Sequence, residues 1–131
     1  MANVLTNLAR SIVTSRLMST GTEPKNVGWG TGAGTAAAAD TSLFAEKALD
    51  LVTATGTRPI GTSSQVTTTT TSDTYQVVTT MTATGAGTVT NAGLFDNTTI
   101  AAGNLFAKAD FTGIALAIGD AITFTFKAQY S

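Results

Sequence analysis

The closing stretch "AITFTFKAQY", residues 121–130, constrains this chain more than any other. Ile122, Phe124, Phe126, Ala128 and Tyr130 alternate with Thr123, Thr125, Lys127 and Gln129. A helix would scatter these two sets around its axis. A strand places each set on its own face, because successive side chains point to opposite sides. Such a strand cannot stand alone, since burying one face does not meet the entropy lost in ordering its backbone. It needs neighbouring strands and a second layer across its apolar face.

The same period of two runs through most of the chain after Pro59. "TYQVVTTMTAT" aligns Tyr75, Val77, Thr79, Met81 and Ala83 on one face. "SSQVTTTTTSD" precedes it, rich in β-branched residues and divided from it near Ser72–Asp73. "GAG" at 85–87 reads as a turn, and "TVTNAGLFD" resumes a strand. "GNLFAKADF" sets Leu105, Ala107, Ala109 and Phe111 opposite Phe106, Lys108 and Asp110. "GIALAIGD" alternates at Ile114, Leu116 and Ile118 before a Gly119–Asp120 turn. Short strands at this spacing predict an all-β fold, an antiparallel β-sandwich. A jelly roll is the preferred topology, with an immunoglobulin-like sandwich or a short barrel left open.

The N-terminal stretch has a different period. Val4, Leu5, Leu8, Ala9, Ile12 and Val13 recur in steps of three, four and seven, which predicts a helix over 3–18 capped by Asn3. Gly21 and Pro24 end it. The expected organisation is a helical arm, residues 1–22, ahead of a single sandwich domain, residues 23–131. The sandwich can close without the arm, so Val4, Leu5, Leu8 and Ile12 form the candidate interface with another subunit.

Between arm and strands lies "NVGWGTGAGTAAAADTSLFAE", residues 26–46. A dinucleotide loop would need its third glycine where Ala33 or Thr35 stands, and no glycine precedes a lysine as in a P-loop. The stretch reads as a loop that turns tightly, with Trp29 as its anchoring side chain. "AADTSLFAEKAL" at 38–49 reads as a short helical turn capped at Asp40.

Composition narrows the chemistry. There are 28 threonines but only seven basic and eight acidic residues, for a net charge of −1. That offers no basic face to a nucleic acid. Histidine and cysteine are absent, which removes the usual general base, the usual zinc ligands, thiol nucleophiles and disulfides. No apolar run approaches the roughly 20 residues of a membrane helix. The opening residues are a poor secretory signal and only faintly resemble a transit peptide, so they read as a retained structural segment.

Asp96, Asp110 and Asp120 sit near turns without calcium-loop spacing, and Glu23 and Glu46 have no spaced acidic partner. "NTT" at 97–99 is a chance glycosylation pattern, and the threonine run reads as a solvated strand rather than an ice-binding face. The sequence therefore predicts no enzyme, cofactor or metal site, and neither a nucleic-acid nor a membrane partner.

Two blocks carry a resemblance. "GTEPKNVGWGTGAGTAAAADTSLFAE" and "TNAGLFDNTTIAAGNLFAKADF…LAIGDAITFTFKAQYS" resemble small structural proteins of tailed bacteriophages, in content and in order. They cover roughly residues 22–46 and 89–131. The resemblance implies no catalytic residues. It points to a capsid decoration, or cement, protein on the capsid exterior, forming a homotrimer that ties coat subunits (the major capsid protein) together. The arm would then dock on coat or on a neighbouring copy. A tail-fibre or baseplate component and a virion carbohydrate-binding module are the alternatives.

Overall fold

A computed structural model describes residues 2–130. These described residues form eight strands and one helix: β1 (Asn3–Leu5), α1 (Leu8–Leu17), β2 (Asn26–Gly30), β3 (Glu46–Lys47), β4 (Thr62–Val66), β5 (Thr74–Thr82), β6 (Gly87–Phe95), β7 (Leu105–Leu116) and β8 (Ala121–Gln129). They build a five-stranded sheet, β1-β7-β6-β2-β3, and a three-stranded sheet, β4-β5-β8. Every strand pair is antiparallel. The fold is all-β, an antiparallel sandwich.

The apolar face read from β8 meets its second layer as expected. Val77 and Met81 of β5 and Ala128 of β8 share one core with Val27, Trp29, Val89, Leu94, Phe106 and Leu116 of the large sheet. Phe124 stacks on Phe126 and tilts against Phe111, placing aromatic area between the two layers. β7 and β8 are joined by a tight turn at 117–120 yet lie in different sheets, so the chain crosses from one layer to the other there.

The N-terminal segment departs from the expected arm. The helix starts at Leu8, with Asn7 rather than Asn3 at its N-terminal boundary, and Asn7 makes no side-chain cap. Residues 3–5 are a strand, pairing with Ala107–Ala109 of β7. Val4 and Leu5 fit a helical stripe and a strand equally well, and β7 supplies the backbone partners that decide it. Ala9 and Ile12 are buried in the sandwich core. The helix closes one end of the sandwich.

The threonine run is also corrected. β4 ends at Val66, and 67–73 form a loop wound around Asp73. The Asp73 carboxylate accepts backbone N–H groups of Thr68, Thr69 and Thr70 at 2.9–3.1 Å. An aspartate able to satisfy three donors locally outcompetes β propensity. No helical turn forms at Asp40 either; that segment is turns leading into β3.

Candidate interaction surface

The four residues nominated for an interface do not form one stripe. Ile12 is 4% exposed and belongs to the protein's own core. Leu8 and Val4 are half-buried, while Leu5 on β1 is 41% exposed. Of the four, only Leu5 presents a substantial apolar surface.

The glycine stretch is a strand, not a loop, over residues 26–30. β2 is buried along its full length and pairs with β6 on one side and β3 on the other. Its glycines allow the following chain to fold back across the sheet's outer face. A methyl group at Gly28 would stand 2.5 Å from Glu46 Oε2, and one at Gly93 on β6 would meet Leu43 Cδ2 at 2.7 Å. One at Gly30 would collide with the Phe44 carbonyl oxygen.

Buried polar groups hold that covering segment. Asn91 accepts the Phe44 N–H and donates to the Phe44 carbonyl, at 3.1 and 3.0 Å. Lys108 donates to Asp40 and to the Ser42 carbonyl, each at 2.8 Å, beneath the Phe44 ring. Arg58, 2% exposed, grips both Glu46 oxygens at 2.6 and 2.9 Å and donates to the Asn97 and Ala102 carbonyls. Its guanidinium lies 3.4 Å from the centroid of Phe95. None of these roles was signalled by local sequence pattern.

The carboxylates are likewise engaged with their own chain. Asp110 accepts the N–H groups of Ala2 and Ala36, and the bond from Ala36 holds its pKa below the usual range. Asp96 binds Asn104, and Asp120 accepts the Ala117 N–H. Asp96 and Asp120 are thus loop residues, whereas Asp110 stands within β7, paired with Asn91, rather than at a turn. Among the described residues no three metal-ligating side chains gather.

The covering segment shields the large sheet's outer face over Gly28, Gly30, Asn91 and Gly93 but leaves Thr88, Thr112 and Ala115 exposed. The outer face of the small sheet stands out beside it. Strand register places Lys127, Gln76 and Ser64 in one row, and Thr125, Val78 and Thr62 in the next. Thr80 and Thr123 follow, with hydroxyls 2.8 Å apart. Lys127 is the only charged residue in these rows. Such a surface offers methyl groups and neutral hydroxyls together.

Beside it the sandwich is open between β8 and β7. Phe111, Phe124 and Phe126 floor this groove, with Ala107 and Ala109, and Leu5 and Ile114 stand at its rim. The opposite mouth, beside β4, is lined by Glu23, Ser63, Gln65 and Asp73 together with Tyr75 and Tyr130. There the Tyr75 hydroxyl faces Glu23 at 3.1 Å and the Pro24 carbonyl at 3.0 Å, and burial raises the tyrosine pKa.

Comparison with protein-family models, with curated proteins and with solved structures found no match.

Proposed function

We propose that this chain is a structural protein of a tailed-phage virion that decorates the capsid exterior and bridges neighbouring coat subunits. The observation that carries the reading is the nearly uncharged threonine-rich face of β4, β5 and β8. A standard interface buries about 1,600 Å² around a packed centre from which charge is depleted, with hydrogen bonds distributed over it. This face supplies methyls and hydroxyls for such a contact and provides little long-range steering. The resemblance of residues 22–46 and 89–131 to phage structural proteins supports the same assignment. The mechanism is mass action: a protein that binds only the assembled shell stabilises that shell.

Co-sedimentation with empty shells of the phage that encodes the chain tests this at low salt and at tenfold higher salt. The expected result is retention on shells at both, since screening acts mainly on exposed charges, and no binding to unassembled coat subunits. Release at high salt, or equal binding to free coat protein, would reject the reading.

A further inference from the structure

The small sheet has two free edges, and they are unlike each other. β4 is five residues long and polar, "TSSQV". β8 is nine residues long, pairs without a bulge to β5, contains no proline and carries one charge, Lys127. Among the described residues no backbone hydrogen bond reaches its outer edge over 121–129. The large sheet ends in strands of three and two residues, β1 and β3. Natural sheets blunt their edges by shortness, charge, proline or bulges. Three of the four edges here are short, and β8 is the one that is long and regular.

The groove beside it adds a second constraint. Its floor is aromatic, and its rim residues Leu5 and Ile114 are each 41% exposed. We propose that β8 pairs antiparallel with β8 of a second copy of this chain about a two-fold axis, making one continuous six-stranded sheet. The two apolar grooves then face each other, and Phe111, Phe124 and Phe126 of both copies share a core.

Three observations favour this occupant. An isologous contact requires a self-complementary patch, and the β8 mouth, though Asn3, Thr125 and Lys127 also line it, sets its aromatic floor of Phe111, Phe124 and Phe126 against the same floor of the second copy. A head-to-tail ring would instead set it against the β4 mouth, where the carboxylates of Glu23 and Asp73 stand. That ring would also pair β8 with β4 in parallel, since both are antiparallel to β5; parallel pairing is the weaker form. Charge is compatible too. With Thr125 opposite its own counterpart, Lys127 faces the second copy's threonine at 123. The two lysines then lie about 13 Å apart along the strand, beyond the Debye length of about 8–10 Å.

This pairing is two-fold, unlike the three-fold assembly implied by the phage resemblance, and it does not depend on the capsid reading. Light scattering of the purified chain should give twice the 13.3 kDa chain mass. Thr125→Lys, which opposes like charges across the axis, should shift it to monomer with an unchanged circular dichroism spectrum. The chain lacks cysteine, so Thr125→Cys treated with a short bismaleimide should yield a covalent dimer and Ser64→Cys should not. A monomeric or trimeric mass for the unmodified chain, crosslinking through position 64 instead, or a dimer that Thr125→Lys leaves intact would overturn the proposal.

Discussion

Glu46→Gln should be among the most damaging conservative changes in this protein. Arg58 and Glu46 have side chains 0% and 7% exposed, so solvent does little to screen their interaction. The substitution leaves the guanidinium buried with its charge unopposed, while its remaining bonds to the Asn97 and Ala102 carbonyls stay in place. The Ala101 N–H also loses the carboxylate that it donates to at 3.1 Å. Removing one member of a buried pair destabilises by about 3–5 kcal/mol, against a total stability of about 5–15 kcal/mol for a domain. At about 2.1 cal/mol/K of unfolding entropy per residue, a chain of 131 residues should lose about 11–18 °C in Tm. Urea denaturation followed by circular dichroism measures the loss directly. The double variant Glu46→Leu with Arg58→Met removes both charges at similar volume and should recover at least half of it. It should fall short of wild type, because two carbonyls lose their donor. A single variant within about 1 kcal/mol of wild type would refute the reasoning, as would a double variant less stable than the single.

Ile12→Ala should cost about 2–5 kcal/mol, the range for truncating a buried isoleucine, and deletion of residues 1–20 should prevent folding; a well-folded deletion, judged by chemical-shift dispersion, would restore the independent arm. Stability should be flat between about pH 5 and pH 9, because the chain has no histidine, and should fall on either side. On the acid side, Asp73 is depressed chiefly by the Thr70 N–H, Asp110 by that of Ala36 and Asp40 by Lys108. Groups with lowered folded pKa contribute stability above their unfolded value near 4 and lose it as pH drops through the folded values. On the alkaline side, burial raises Tyr75, so the unfolded state ionises first above about pH 10 and stability declines. Thermal unfolding across the pH range checks both limbs, and a marked slope between pH 5 and 9 would contradict the assignment.

The strands with clean alternation were legible from sequence alone. In β8, Ile122, Phe124 and Phe126 are half-buried and Ala128 buried, while Thr123, Thr125, Lys127 and Gln129 are exposed, as the period of two requires; Tyr130, read onto the same apolar face, lies past the strand and is exposed. β5 behaves the same way at Val77, Thr79 and Met81. Failures occurred where a distant partner decided the outcome. "NVGWG" reads as a loop because glycine is a poor strand former, yet Glu46 and the Phe44 carbonyl need the space that Gly28 and Gly30 leave. Val4 and Leu5 satisfied a helical stripe until β7 paired with them. The candidate interface was legible in composition but not in location. Scarcity of charge was visible at once, whereas its concentration of effect on one face depended on which outer face became covered. Arg58 carried no local motif. In a chain with so few charges, however, each buried one marks a place where the fold is held.

The pairing of Asn3–Leu5 with Ala107–Ala109 joins residues separated by roughly a hundred positions. During synthesis, at about 5–20 residues per second, the first strand must wait about 5–20 s for its partner to be made. Throughout that interval the nascent chain carries an unpaired apolar strand, and the large sheet can acquire its β1 edge only after β7 has been made. A protein fused ahead of residue 3 would therefore hang from a sheet edge that forms late, whereas one fused behind residue 130 would follow a strand whose partner, β5, has already emerged.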